Sequence, residues 1–240
     1  MTIYATNGSR LYIGGPITVP SSDLNEASFA AQSWVEVGEV ENLGTVGDTS
    51  AEITFDSISA NRTRRLKGTR NAGTMEIVCG IDYDDAGQIA IIAAEKTIHD
   101  YAFRMELNDA PAPQSATVTI SNASPGVVTW TAHGLPVNTP VVLSTTGALP
   151  TGLSPGTYYV KTVLTADTFT LSATPGGTVI NTSGAGSGTH TATTAPQGSQ
   201  RMFAAKVASA SEALDAANSV MKLNPTLWVN SNIVRVAPLG

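Results

Sequence analysis

The chain has 240 residues, 42% of them hydrophobic and only 13% charged, with a formal net charge of −6. That balance excludes a disordered polyelectrolyte, and its acidity argues against a general nucleic-acid binder, whose surface must be basic. No apolar run approaches the roughly 18 residues of a membrane span, the start lacks the basic and apolar regions of a secretory signal, and a single cysteine, Cys79, excludes an internal disulfide. A soluble protein of one or two domains in a reducing compartment is expected. Numerous Gly (22) and Pro (13) in place of charge point to β structure with many turns.

Taken in order, residues 10–13 read as a short strand that ends at the sharp break Gly14-Gly15-Pro16. Residues 21–31 read as a loop with one helical turn capped by Ser22 or Asp23. Residues 33–40 alternate and predict a strand, a Gly-containing turn follows over 43–50, and residues 51–58 alternate again around Ile53, Phe55 and Ile58. The main basic cluster comes next: Arg62, Arg64, Arg65, Lys67 and Arg70, placed between two strands and therefore read as a long loop. Residues 74–80 predict a strand. Asp82, Asp84 and Asp85 offer helix caps, and 86–96 predict the one helix, with Ile89, Ile92, Ala93 and Lys96 at the spacing of one helical face.

Two segments far apart organise the whole. Residues 101–107 and 201–207 each mix aromatic, apolar and charged residues and read as the two strands of one hairpin. Between them lies a stretch of different composition bordered by Pro111, Pro113 and Pro196. Hairpin tips tolerate insertions, so the expected organisation is a discontinuous host domain, 1–112 with 198–240, and an inserted domain, 113–197. In the insert, residues 116–120, 126–131, 140–144, 156–163 and 167–171 are Val/Thr/Tyr-rich strands between Gly and Pro turns, as in a small β-sandwich or barrel. Residues 184–190 read as a flexible loop.

The phrase Arg64-Arg65-Leu66-Lys67-Gly68-Thr69-Arg70-Asn71-Ala72-Gly73-Thr74-Met75-Glu76 is followed by Asp84-Asp85-Ala86-Gly87-Gln88 and a helix. With the upstream Gly38-Glu39-Val40-Glu41-Asn42-Leu43-Gly44, it resembles the tail tube (major tail) protein of long-tailed, non-contractile bacteriophages. The resemblance covers roughly residues 33–107 and 201–236. It implies a mainly β tail-tube-type sandwich or barrel with one flanking helix, assembled as stacked hexameric rings around a channel. It also favours two strands and a turn over 201–223, although propensity alone allows a helix over 204–222. In the insert, Trp130-Thr131-Ala132-His133-Gly134-Leu135-Pro136 with Gly156-Thr157-Tyr158-Tyr159-Val160 is similar to small β decorations of phage structural proteins.

The expected function is therefore structural: a virion protein of the phage tail, made in the host cytoplasm, that conducts DNA without binding it specifically. The partners implied by the resemblance are copies of itself, the tape measure protein and the tail terminator and tip proteins. The basic cluster is the candidate inter-ring contact, with Glu36, Glu39, Glu41, Asp48, Glu52 and Asp56 of an adjacent ring as possible acceptors. Glu76, Asp100 and Glu106 are candidates for an acidic lumen that repels phosphates. The alternative is a surface-binding module in which Trp130, Tyr158, Tyr159 and Phe169 stack on a glycan or host surface. The same aromatics also suit a hydrophobic core, since they alternate with Thr and Val.

No enzyme is expected, nor a cofactor or metal. His99, His133 and His190 lie far apart with no ligand-spaced companion. Gly184, Gly186 and Gly188 lack the strand and helix of a nucleotide loop. The Asp82/Asp84/Asp85 group is better explained by helix capping, and Cys79 as a small buried hydrophobe.

Overall fold

The computed structural model describes residues 3–240, which form a mainly β structure with one α-helix. In chain order come β1 (Arg10–Ile17), a 3₁₀ turn (Glu26–Phe29), β2 (Val35–Val37), β3 (Val40–Asn42), β4 (Thr49–Phe55), β5 (Arg64–Asn71), β6 (Thr74–Glu76), β7 (Val78–Gly80), α1 (Ala86–Glu95) and β8 (Asp100–Glu106). Next are β9 (Ser115–Ile120), β10 (Val127–Thr129), β11 (Pro140–Thr145), β12 (Gly156–Thr165), β13 (Thr168–Ser172) and β14 (His190–Thr194). The chain closes with β15 (Gln200–Ala213), β16 (Lys222–Val229) and β17 (Val234–Val236). Two compact units result: Ala5–Leu107 with Gln200–Val236, and Asn108–Ser199 with residues 3–4 and Ala237–Gly240.

In the first unit the strands run β2-β1-β8-β15-β16-β7-β3, with β17 on β15 and β6 on β16. β8 and β15 pair antiparallel from Gln200↔Glu106 to Ala205↔Tyr101, so the two ends that bracket the second unit are held side by side. Alternation sends Tyr101, Phe103 and Met105 into one core with Leu11, Ile13, Val37, Phe203, Ala205 and Val207. Phe103 and Phe203 stack at 5.8 Å, and burying each such ring contributes roughly 1.5–3 kcal/mol.

Several local expectations change. β1 does not end at Gly14-Gly15-Pro16 but runs on through a register shift between Ile13 and Pro16. There Gln32 Oε1 accepts from the Gly15 N–H at 2.8 Å and replaces a missing ladder partner. The 3₁₀ turn is capped by Asn25, not Ser22 or Asp23: Asn25 and Ser28 each accept the other's backbone N–H at 3.2 Å. The strand expected over 33–40 splits into β2 and β3 at Glu39, whose φ of 53° turns the chain. Residues 74–80 likewise split around Ile77, which donates to Pro225 O at 3.0 Å. The two strands and turn expected after residue 200 are present as β15 and β16, joined across residues 214–221, and not as a helix, because β15 finds ladder partners on both edges.

α1 buries Gly87, Gln88, Ile91 and Ala94; of the expected face only Ile92 packs against the core, while Ile89, Ala93 and Lys96 are exposed. Two polar devices fix this rotation. Asp85 caps the helix, accepting from Gln88 N at 2.7 Å and also from Gly38 N at 3.1 Å. Buried Gln88 donates from Nε2 to Gly38 O and Gly80 O at 3.2 and 2.8 Å, and its Oε1 accepts from Asp82 N.

The second unit is a closed barrel in the order β10-β13-β12-β11-β14-β9. Val118, Val128, Trp130, Leu135, Val141, Leu143, Val160, Phe169, Leu171 and Ala192 fill it. β14 is not among the strands expected from the sequence and starts at His190, the last residue of the expected loop; its Thr-rich sequence is ordered by pairing with β9 and β11 on either side. This unit also takes residues 108–112, 198–199 and 237–240, beyond the expected limits: Asp109 accepts from Ser199 N and Oγ at 2.6 Å, and Gln197 and Leu239 exchange backbone hydrogen bonds of 2.7 and 2.9 Å.

Candidate assembly surfaces

Arg64, Arg65, Lys67 and Arg70 lie on a strand, not a loop, and only Arg62 stays in the bend before it. β4 and β5 form a separate two-stranded ribbon, with Phe55 opposite Arg64, Ile53 opposite Leu66, Thr54 opposite Arg65 and Glu52 opposite Lys67. Directly opposed residues share a face, so one face carries Ile53, Phe55, Leu66 and Arg64 and the other carries Thr54, Arg65, Glu52 and Lys67. Every residue of β4 is exposed, and of β5 only Gly68 is half-buried. Phe55 and Leu66 are 58% and 62% exposed. A two-stranded ribbon is marginal alone in water, and this one presents an apolar face to solvent.

The base of the ribbon is clamped within the chain. Arg70 donates to Asp48 and, at 3.2 Å, to Asp23, and these bonds, Asp48 first, raise the guanidinium pKa above its already high ordinary value. Arg65 pairs with Glu52 at 2.9 Å. Glu36 pairs with Arg10 at 3.6 Å and Glu41 with Lys222 at 2.6 Å. Four of the six acidic acceptors named from the sequence are thus met inside the subunit, leaving Glu39 and Asp56. Arg62, Arg64 and Lys67 make no ion pair among the described residues.

Glu76, Asp100 and Glu106 all lie on the sheet face opposite α1. Register and alternation place Asp100, Ala102, Arg104 and Glu106 together, next to Met202, Ala204 and Lys206, while Glu76 stands opposite Thr226. The middle of this face is covered by Leu24 and Phe29, which pack on Ala102, Met202 and Ala204. Arg104 lies between the Tyr12 and Trp34 rings, at 4.2 and 4.9 Å. Asp100 accepts from Lys206 Nζ at 3.2 Å and Asn230 Nδ2 at 2.7 Å, and Glu106 stands opposite Arg10. The Arg10 pKa is raised, by a Tyr12 hydrogen bond first and by Glu36 next. The face is therefore a mixed-charge surface whose cations are mostly matched.

Two of the four aromatics named for surface stacking, Trp130 and Phe169, belong to the barrel core. Phe169 is fully buried and Trp130 nearly so, and Tyr158 and Tyr159 are half-buried. The Tyr158 hydroxyl donates to Ser154 O and accepts from Ser154 N. His133 lies in the barrel core edge-on to Phe169 at 4.9 Å, and His190 bonds Thr145 at 2.8 Å. Among the described residues no group of three or more His, Cys, Asp or Glu could hold a metal, and no helix is long and apolar enough to cross a membrane. Cys79 is fully buried, and burial, then Asp85, pushes its thiol pKa up to about 11.

No protein-family model matches this sequence, and no curated protein matches it.

Proposed function

We propose that the chain is a structural subunit that assembles with copies of itself into hexameric rings, stacked as the tube of a phage tail through which DNA passes. The observation that carries this reading is the β4–β5 ribbon, an arm with an apolar face and a cationic edge that its own subunit leaves in water. Exposed patches of this kind mark protein contact sites, and a heterologous contact between identical subunits closes into a ring or extends into a filament. The arm coincides with the stretch on which the resemblance to tail tube proteins rests.

In that reading the tape measure protein and the terminator and tip proteins occupy the tube and its ends, and the virion is where the protein resides. The sheet face bearing Glu76, Asp100 and Glu106 lines the channel. Its ion pairs, Arg10–Glu36 and Lys206–Asp100, keep cations from phosphates, and Glu76 and Glu106 add negative charge. Sedimentation of the purified chain over a range of concentrations tests the reading. A six-subunit species and larger multiples of it are expected; a monomer at every concentration would overturn it.

A further inference from the structure

The outer face of α1 carries a second unpartnered apolar surface. Ile89 and Tyr83 are 52% and 68% exposed, and with Ile81, Ile92 and Leu223 they border a cleft of about 50 Å³. Since one water needs roughly 10–15 Å³ by this measure, the cleft has room for the end of an Ile or Leu side chain. Its rim is acidic: Asp82 and Glu212 line it, and neither makes an ion pair among the described residues. Lys222, next to Leu223 in sequence, is held by Glu41.

The arm is the counterpart on the same polypeptide. It joins an apolar face, Ile53, Phe55 and Leu66, to an unpaired Arg64 on that face. The arm does not cover its own subunit's cleft, since its strands are exposed along their length and so are Tyr83 and Ile89. We propose that the α1 cleft is the docking site for the β4–β5 arm of a second copy of this chain. Leu66 or Ile53 enters the cleft, and Arg64 meets Asp82 and Glu212 at its rim. Opposite charge at the rim selects this surface over others, since like charges brought together would repel. The proposal rests on the assembly reading and names the receiving half of its contact; of the six acidic residues near the arm in sequence, four are already paired within the subunit.

Complementary variants test it. Glu212→Lys with Ile89→Lys spoils the cleft, and Arg64→Glu with Leu66→Ser spoils the arm. All four positions are exposed, so melting temperatures close to the parent's are expected. Each variant alone should assemble at least tenfold less readily than the parent. Mixed together they should bind each other at least tenfold more tightly than either binds itself, because one intact arm then meets one intact cleft. Independently, Leu66→Cys with Ile89→Cys in one chain should give disulfide-linked dimers and higher multimers under diamide, with buried Cys79 not competing. A parent that assembles while the cleft variant assembles equally well and the cysteine pair stays uncrosslinked would overturn this assignment alone. A parent that never associates would overturn the assembly reading and this assignment with it.

Discussion

Gly87 shows how one missing side chain positions the helix. A Cβ at this residue would lie 2.2 Å from Glu36 O and 2.6 Å from Val37 Cα, both backbone atoms that cannot step aside. An exposed helical Gly→Ala ordinarily gains up to about 1 kcal/mol. Here Gly87→Ala must push α1 off β2, and overpacking of this kind costs about 1–3 kcal/mol. Denaturant unfolding should show that loss, and an unchanged or raised midpoint would contradict the close contact. Cys79 gives a second prediction. Its thiol titrates near 9 when unfolded and near 11 in place, so the folded state holds the proton longer. The contribution is complete below pH 9 and is lost as the pH rises to about 11. Stability should fall across that window, and Cys79→Ala should flatten the fall; an equal slope in both proteins would contradict it.

Among elements, α1 was legible in position and not in orientation. Asp85 followed by an Ala/Ile-rich run signals a capped helix, but ranking residues by hydrophobicity puts exposed Ile89 beside Ile92 on the packed side. The packed side instead uses Gly87 for its lack of bulk and Gln88 for its hydrogen bonds, and hydrophobic spacing is blind to both. The first strand of the arm is legible in residues 51–58, but the second escapes the sequence for a related reason. Arg64–Asn71 buries nothing, so the sequence carries no burial alternation to mark a strand, and only its pairing with Thr49–Phe55 makes it one. The wrong element type did not hide the right residues: Arg62, Arg64, Arg65, Lys67 and Arg70 still form one cationic feature. Exposed ion pairs contribute about 0–1 kcal/mol each, so Arg64→Glu with Arg65→Glu should leave the melting temperature within a few degrees of the parent. The same variant should fail to form rings or tubes in electron micrographs. Tubes at the parent's yield would contradict the assembly role of the arm.

Across the molecule, the pairing of residues 101–107 with 201–207 could be read because proline-bordered junctions separate the strands from what lies between them. The ownership of the last residues could not, since nothing in 237–240 announces that Leu239 will pair with Gln197. Glu106 and Gln200 stand opposite each other, so a short turn can join β8 to β15 directly. Replacing residues 108–199 with such a Gly/Ser turn and ending the chain at Val236 should give a folded protein that still assembles. A folded but permanently monomeric product would make the barrel unit part of the assembly contact.

The most direct test of the central claim is cryo-electron microscopy of the assembled protein. A sixfold ring with an open channel is expected, in which residues 49–71 of each subunit are ordered against a neighbouring copy. Isolated single subunits at every concentration, or rings whose arms remain free in solvent, would contradict it.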